Sequence, residues 1–392
     1  MEPLDQWSDM SSSDSSHPYR FDNFLEETRN LIKRSKAGAY LHLIFLQKYV
    51  WQDLENLMEE YSDDGRRNWE VALLETQQDD FFILEFISKK DESERHSFFW
   101  KVLTDNSKMT ILSLSLEKFR FVKSCLESFV KFANMEFPWL GSAFLENLDD
   151  FIQTTFGADA HVDFRRIIYD LEPIAGKGRP EPNLKFTAAS KEDILKRKQT
   201  EYEHQNKFFY IRSMKVSVVW KGTPFVFSIS DEAEIFFERG DLITFLEMIN
   251  ALKSIADSYR DSAVKHLNID IREMALEEGR KTEFRTIENL EVLKLDINDP
   301  MTGNWYKNFT SLFSMPYKQE EKLLNFVLMK GNPYFLAQVI DLEKGGSGVY
   351  LSATGNSIRI SPSSKVTNIS TVLKIIKALQ KYVDPNITIA GA

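Results

Sequence analysis

The spacing of apolar residues along this chain changes from short strand-like runs to a helical period, and it does so three times. In the first instance, runs rich in aromatic and branched residues are separated by polar turns, which is typical of antiparallel strands. These runs are Trp69 to Leu74, Phe81 to Ile87, Ser97 to Leu103 and Met109 to Leu114. After Ser115, which can cap a helix, apolar residues recur three and four positions apart from Phe119 to Ala133. The sequence therefore predicts a strand meander followed by an amphipathic helix.

The same order of elements recurs twice further along the chain. The predicted strands are Phe208 to Trp220, Pro224 to Ser230 and Ile235 to Phe237 in the second instance, and Tyr334 to Leu342, Gly348 to Ser352 and Ser357 to Ser361 in the third. An amphipathic helix follows each set, from Leu242 to Tyr259 and from Ile369 to Val383. A separation of roughly 120 residues between instances predicts an internal repeat.

The fold class that follows is α+β, with three antiparallel-strands-then-helix units and with helical N-terminal and connecting segments. A helical region is predicted from Phe21 to Tyr61, and Gly176 to Pro182 is the predicted linker. The predicted division is a disordered, serine-rich tail at 1–20, a helical region plus the first unit at 21–135, a helical and linker segment at 136–206, the second unit at 207–265, a connecting segment at 266–330 and the third unit at 331–392.

Net charge, cysteine content and hydropathy restrict the classes of protein and the cellular compartments that the sequence fits. The net charge of −10 and the pI of about 5.3 argue against a generally basic nucleic-acid coat or a membrane-surface protein. One cysteine, Cys125, excludes an intramolecular disulfide and a cysteine-based zinc site, and its apolar helical setting predicts a small buried residue. No signal peptide begins the chain, and no apolar stretch is long enough to span a bilayer. We therefore expect a cytoplasmic or nuclear protein that is neither secreted nor in a membrane.

Motifs for catalysis are missing from the sequence. The six histidines are scattered singly, and no Walker-type phosphate loop or nucleophile elbow occurs. The sequence predicts no catalytic residue, no metal ligand and no cofactor. A third and weaker hypothesis is a metal-dependent phosphoryl or nucleotidyl enzyme that uses Asp296 and Asp299 at a strand end.

The charge distribution carries the main functional signal. Residues 185–221 contain nine Lys and Arg against four acids, and residues 344–392 contain six against one. In the first segment basic residues alternate with aromatics, and in the second Lys374, Lys377 and Lys381 line one stripe of the last helix. The candidate nucleic-acid-binding residues are Lys207, Phe209, Arg212, Lys215, Trp220, Arg359, Lys365, Lys374, Lys377 and Lys381.

Basic and aromatic residues on one sheet face suit single-stranded nucleic acid. Cations neutralise phosphates, and flat rings stack on bases for about 1–3 kcal/mol each. The same alternation is equally typical of a half-buried strand, which places aromatics in a core and lysines in water without any ligand. Strands followed by a helix, repeated along one chain, resemble in pattern the PUR and Whirly class of single-strand binders. That resemblance implies a helix-backed antiparallel sheet that presents aromatic and basic residues, and repeats that pair with one another.

Two functional hypotheses follow. The leading one is a non-enzymatic protein that binds single-stranded DNA or RNA through these sheet surfaces. The alternative is a protein–protein interaction or scaffold protein, whose sheet edges and aromatic surfaces serve docking or self-assembly into homo-oligomers. Exposure separates the two: Phe209, Ile211 and Trp220 on a solvent-facing surface beside Lys207 and Arg212 would favour nucleic acid, and burial of these side chains would favour the alternative.

Overall fold

The computed structural model describes most of the chain. The described ranges are 20–35, 38–46, 48–105, 108–133, 135–173, 181–205, 207–267, 269–275, 281–287, 293–297, 305–314, 317–318, 322–330, 334–342, 347–354, 357–363, 369–384 and 386–389. Helices occur together with large antiparallel sheets, which confirms the α+β class. The predicted tail lies outside these ranges except for Arg20, as does most of the predicted linker. No helix in the described ranges has the length and apolar character that crossing a bilayer requires.

The N-terminal half of the chain alternates helices with long strands. Its elements are α1 (Phe21–Ser35), β1 (Ala39–Leu46), α2 (Lys48–Gln52), α3 (Leu54–Asp63), β2 (Trp69–Glu75), β3 (Phe81–Ser88), β4 (Arg95–Asp105), β5 (Lys108–Ser115), α4 (Phe119–Phe121, a π-helical stretch Val122–Glu127, and Ser128–Phe132), α5 (Gly141–Glu146), α6 (Leu148–Phe156), β6 (His161–Pro173) and β7 (Glu181–Phe186).

The C-terminal half continues in the same manner. Its elements are α7 (Lys191–Gln205), β8 (Lys207–Trp220), β9 (Thr223–Ser230), β10 (Ile235–Gly240), α8 (Leu242–Leu267), β11 (Ile269–Ala275), β12 (Lys281–Ile287), β13 (Leu293–Ile297), α9 (Trp305–Ser314), β14 (Tyr317–Lys318), β15 (Leu323–Lys330), β16 (Phe335–Asp341), β17 (Ser347–Thr354), β18 (Ser357–Pro362), α10 (Ile369–Tyr382) and β19 (Ile387–Ile389).

The chain divides into two compact units. The first comprises Met1–Trp139, Asp150–Arg165 and Met214–Ala251, and the second comprises Leu140–Asp149, Arg166–Ser213 and Leu252–Ala392. Ten strands form one sheet in the order β2-β3-β4-β5-β1-β10-β9-β8-β6-β7, and seven form another in the order β14-β15-β16-β17-β18-β13-β19. β11 and β12 form a separate hairpin.

β1 corrects the prediction of a helical region from Phe21 to Tyr61. Residues Ala39–Leu46 form a strand that pairs with β5 on one side and β10 on the other. All but one of its side chains are buried, because both faces of this central strand are covered. A strand covered on both faces is apolar without alternation, so periodicity alone cannot tell it from a short buried helix.

Aromatic packing joins α4 to the sheet of the first unit. The Phe129 ring lies 5.3 Å from that of Tyr61, 6.2 Å from that of Phe86 and 6.5 Å from the Trp100 ring, measured between centroids. All four side chains are fully or almost fully buried. Burying an aromatic side chain contributes about 1.5–3 kcal/mol, so the amphipathic stripe of α4 predicted from the sequence is a main support of this unit.

In the second unit, α10 and α9 cover one face of the seven-stranded sheet. Val349, Leu351, Ile358 and Ile360 form one core with Leu379 and its neighbours on α10. The helix α10 also contacts α5, which belongs to the same unit. Because side chains alternate along a strand, the residues between these core positions lie on the opposite face of the sheet.

Candidate functional site

Phe209 and Ile211, two apolar residues of the first basic segment, lie in a core. Phe209 is 1% exposed and Ile211 is fully buried on β8. The Phe209 ring packs 4.4 Å from the Tyr169 ring and 6.0 Å from that of Phe186, measured between centroids. Such a ring cannot stack on a base. Phe209 therefore contributes to packing, as in the alternative interpretation of the alternating pattern.

The polar candidates on β8 have protein partners. Arg212 Nε lies 2.8 Å from Asp170 Oδ2, and Lys215 forms an ion pair with Glu238. Trp220 is half-buried, its ring lies 5.0 Å from that of Phe156, and the neighbouring Lys221 ammonium lies 4.2 Å from its centroid. The Lys207 side chain lies outside what the structure describes. The two basic candidates of β8 whose side chains the structure describes, Arg212 and Lys215, are thus matched by carboxylates from other strands.

The lysine stripe of α10 includes a buried ion pair. Lys374 Nζ lies 2.9 Å from Asp341 Oδ1, and the Asp341 side chain is completely buried. The Thr371 hydroxyl donates to Asp341 Oδ2 at 3.4 Å. Lys377 is half-buried, and Lys381 Nζ lies 4.6 Å from the centroid of the neighbouring Tyr382 ring. The first lysine of the predicted stripe therefore holds β16 to α10.

Arg359 lies on the other face of the seven-stranded sheet. Its neighbours Ile358 and Ile360 are buried in the core beneath α10, so the Arg359 side chain, which is exposed, is on the opposite face. Lys365, the remaining candidate, falls outside the described residues.

Sequence reasoning missed a cluster of exposed apolar side chains on β15, on β17 and at the two ends of β16. Seven large apolar residues of this region are between 37% and 56% exposed: Phe326, Val327, Leu328, Met329, Tyr334, Leu342 and Tyr350. We call this cluster the 326–350 patch. Single exposed apolar residues are ordinary, but a run of four on one strand, Phe326 to Met329, marks an interaction surface.

Strand register places part of the patch on the same face as Arg359. Phe326 pairs with Gln338, and Gln338 pairs with Tyr350, so the two rings lie on one row, about 10 Å apart across two strand spacings. Tyr350 pairs with Ser361, which follows Arg359 by two residues on β18. Arg359 is therefore a diagonal neighbour of Tyr350, at about 7–8 Å.

The patch is poor in negative charge. Lys330 and Arg359 are exposed at its margins. In the described parts of residues 322–363 the single carboxylate is that of Asp341, which is buried against Lys374. Within the described residues, the exposed charged side chains beside the patch are therefore cationic.

Buried titratable groups in the first unit have structural roles. Burial, with a smaller contribution from the Lys123 ammonium, lowers the pKa of His42 to about 3. Burial raises the pKa of the Cys125 thiol to about 12, so the thiol stays protonated at neutral pH and is a poor nucleophile. Cys125 is fully buried, which confirms its predicted role as a small core residue.

Metal-binding groups do not converge in the described ranges, where no three histidine, cysteine or acidic side chains are placed to hold one ion. Asp296 lies on β13, paired with Ser357 and Thr388, and Asp299 lies outside the described residues. No family model matches the chain, and no curated protein matches it either. A functional assignment therefore depends on the surfaces described above.

Proposed function

We propose that this chain is a non-enzymatic interaction protein that docks a protein partner on the 326–350 patch. The observation that carries the proposal is the concentration of seven half-exposed, large apolar side chains on or directly beside three adjacent strands of one sheet. Four of the seven are aliphatic, and aliphatic groups gain from contact with protein surfaces, whereas bases require flat rings to stack on.

The energy available from the patch indicates its affinity class. Complete burial of a large apolar side chain contributes about 1.5–3 kcal/mol, so burying the exposed half of one contributes about 1 kcal/mol. The seven together supply roughly 5–10 kcal/mol, against an association cost of at least about 4 kcal/mol. This balance favours a reversible complex rather than a permanent one.

Single-stranded nucleic acid is the second candidate, and the exposed rings of Phe326 and Tyr350 beside Arg359 favour it. These three side chains lie on one open sheet face, which is the arrangement that base stacking and phosphate contact need. We therefore propose this face, rather than β8 and the lysines of α10, as the surface that would bind single-stranded nucleic acid. Fluorescence anisotropy with labelled single-stranded DNA, RNA and duplex tests it: single-strand affinity that falls with salt and is lost in Arg359→Glu and Tyr350→Ala would support it, and no binding at low salt would remove it.

The finer organisation is also proposed here. We propose that β2–β5 with α4, β8–β10 with α8, and β16–β18 with α10 are three related units, because each set shows strands followed by a helix. The single buried cysteine suits a reducing compartment, so we place the protein in the cytoplasm or nucleus.

The docking proposal is tested by a change at the most exposed aliphatic residue of the patch. Leu328→Asp places a charge where a partner would pack, and Ile243→Asp is the matched control, because Ile243 is 53% exposed on α8, away from the patch residues in sequence. A photoreactive amino acid at position 328, compared with one at 243, identifies a partner that is then purified and titrated by calorimetry. We expect Leu328→Asp to weaken binding by tenfold or more and Ile243→Asp to leave it unchanged. Equal binding by both variants would overturn the proposal.

A further inference from the structure

We infer that the partner of the 326–350 patch presents an amphipathic α-helix with one acidic flank, and that this helix lies on the face of the seven-stranded sheet opposite α10. The inference rests on the proposed function and specifies the chemistry of the partner at that same surface. Three features support it: the strand register, the pairing of the strand backbones, and the charge at one margin of the face.

Strand register brings apolar residues of β15, β16 and β17 onto one face. On β16, Ala337 and Val339 are buried in the core beneath α10. The residues that alternate with them lie on the opposite face, here called the open face, and residues paired directly across strands share a face. By these two rules the open face carries six apolar residues: Leu324, Phe326, Met329, Leu336, Ile340 and Tyr350. Each of the six is half-buried or exposed.

A helix suits the open face because it satisfies its own backbone hydrogen bonds. β16 and β17 each pair with a strand on both sides, so their backbone hydrogen bonds are directed within the sheet. An extended segment laid on the face would bury its own N–H and C=O groups against apolar side chains, at a cost for each unpaired group. The other face of this sheet is already covered by helices, α9 and α10.

Strand addition at the outer edge of β15 is disfavoured. β14 pairs with Leu323 and Leu324 on this side, and the register with β16 shifts between Val327 and Met329. Such a bulge twists an edge strand and interrupts regular pairing with a further strand. An extended partner is therefore unsuited to the edge as well as to the face.

The dimensions of the open face match those of a helix. β16 has seven residues, and at about 3.3 Å per residue it spans roughly 23 Å. A helix of that length has about 15 residues, or four turns. The distance from β15 to β17 is two strand spacings, about 10 Å, which is close to the diameter of a helix with its side chains. One helix parallel to β16 would therefore cover the apolar residues of all three strands.

The charged residues of β15 to β18 are distributed unequally between the two faces. These strands carry three charged residues. Lys330 and Asp341 belong to the α10 side, where Lys330 Nζ donates to Ser314 Oγ at 3.0 Å and Asp341 is buried in its ion pair. Arg359 is exposed on the open face, as a diagonal neighbour of Tyr350. The charge that these strands present on the open face is therefore positive.

The neighbouring strand β13 leaves this margin positive. Lys294 occupies the register position beside Arg359, and Asp296 lies two residues further along β13. Two basic residues thus stand against one acidic residue at the β18 side of the open face. A helix placed over β15 to β17 meets this margin along one flank, where aspartate or glutamate gives electrostatic complementarity.

Two synthetic peptides of about 15 residues test the inference against the full chain. Both have leucines at positions i, i+3, i+4 and i+7 of a helical repeat, and they differ in one flank, which carries glutamates in one peptide and lysines in the other. The net charge of −10 favours the lysine peptide at long range, so fluorescence anisotropy is measured at physiological salt, which screens charges beyond about 8 Å. We expect saturable binding of the glutamate peptide. Arg359→Glu should shift the ratio of the two affinities toward the lysine peptide by about fivefold or more, and an unchanged ratio would remove the acidic flank.

Phe326→Asp and Val327→Asp are a matched pair of variants on one strand. Phe326 is 47% exposed on the open face, whereas Val327, which pairs with the buried Ala337, is 41% exposed on the α10 side. Affinity for the glutamate peptide should fall about tenfold or more in Phe326→Asp and less than about twofold in Val327→Asp. Equal effects of the two substitutions would overturn the inference, as would no saturable binding at about 1 mM peptide. Single-stranded DNA that binds through Phe326 when neither peptide binds would assign the face to nucleic acid instead.

Cross-linking identifies the contacting segment of the natural partner. A photoreactive amino acid at Gln338, which pairs with Phe326 on one side and Tyr350 on the other, is followed by mass spectrometry of the joined segment. We expect apolar residues at helical spacing with acidic residues beside them. A basic segment, or one that alternates apolar and polar residues, would overturn this inference and leave the docking function intact, provided that the partner is lost in Leu328→Asp. A chain without any partner that depends on Leu328 would instead remove the proposed function itself.

Discussion

The ion pair between Asp341 and Lys374 lets the packing role of α10 be separated from a nucleic-acid-binding role. Lys374→Met keeps the length and apolar part of the side chain and removes its charge. The Asp341 carboxylate, which accepts from Lys374 at 2.9 Å, would then be left buried without its cation. If the pair is structural, the second unit loses stability, and if Lys374 contacts phosphates, nucleic-acid affinity falls while stability is unchanged.

The burial of the two side chains fixes the expected magnitude. Asp341 is 0% exposed and Lys374 is 19% exposed. Breaking a fully buried pair costs about 3–5 kcal/mol, and the part of Lys374 that water reaches screens some of this interaction. We therefore expect a loss of about 2–4 kcal/mol, which raises the population of open states roughly 30- to 700-fold.

Hydrogen–deuterium exchange is the suitable assay, because it reports opening of α10 and β16 separately from the rest of the chain. The matched control is Lys196→Met, which removes an exposed lysine from α7 and should change stability by no more than about 0.5 kcal/mol. The double variant Asp341→Asn with Lys374→Met removes both charges and should recover much of the loss, as a double-mutant cycle then shows.

Exchange in α10 that is unaltered by Lys374→Met would refute this reasoning. It would mean that water solvates Asp341 as well as Lys374 does. A loss in the double variant equal to the sum of the two single losses would refute it also, because the two side chains would then act independently.

Three further predictions concern stability. The pKa of His42 is about 3 in the folded chain, whereas that of a histidine in the unfolded chain is about 6.5, so the unfolded state binds the proton at higher pH. Lowering the pH from 7 to 5 should therefore destabilise the first unit by about 2 kcal/mol. In urea unfolding as a function of pH, His42→Gln should remove most of this loss. Gly240 has φ +119° and a Cβ there would lie 2.3 Å from the Pro224 carbonyl oxygen, so Gly240→Ala should cost about 2 kcal/mol or more in thermal unfolding. Phe209→Ala should cost about 3–5 kcal/mol by leaving a cavity beside Tyr169, which denaturant titration measures.

Strands with a clear period and clear turns could be predicted from the sequence. β16 alternates between buried and half-buried side chains, and turn-favouring residue types precede it in the sequence, from Gly331 to Pro333. The runs predicted from Trp69 to Leu114 are likewise strands β2 to β5, because polar turns separate them. Local signals are sufficient where one face of a strand differs from the other.

For β1 and β15, the local sequence pattern is not sufficient to predict the structure. Both are apolar along almost their whole length, and the sequence alone placed β1 in a helical region and β15 in a connecting segment. β1 pairs with β5 along one edge and with β10 along the other, and its side chains are buried on both faces. By contrast, five consecutive residues of β15 are exposed. The same composition thus forms a core in one place and a surface in the other, because neighbouring strands that are distant in sequence decide the outcome.

The basic segments depend in the same way on residues that are distant in sequence. Lys215 and Arg212 alternate with apolar residues as a ligand-binding strand would, but their carboxylate partners are Glu238 and Asp170, which come from β10 and β6. Lys374 likewise meets Asp341 from β16, more than thirty residues earlier. A count of basic residues in a segment cannot include acids that only the fold brings near.

The distribution of acidic residues is consistent with the location of the patch. A net charge of −10 keeps copies of the chain apart and soluble. In the described parts of residues 322–363 the one carboxylate, that of Asp341, is held in a buried ion pair with Lys374. The apolar side chains of β15 are exposed there, and the bulge at Leu328 disfavours extended strand pairing. An apolar strand whose bulge disfavours ladder formation is suited to reversible docking rather than to aggregation through strand pairing.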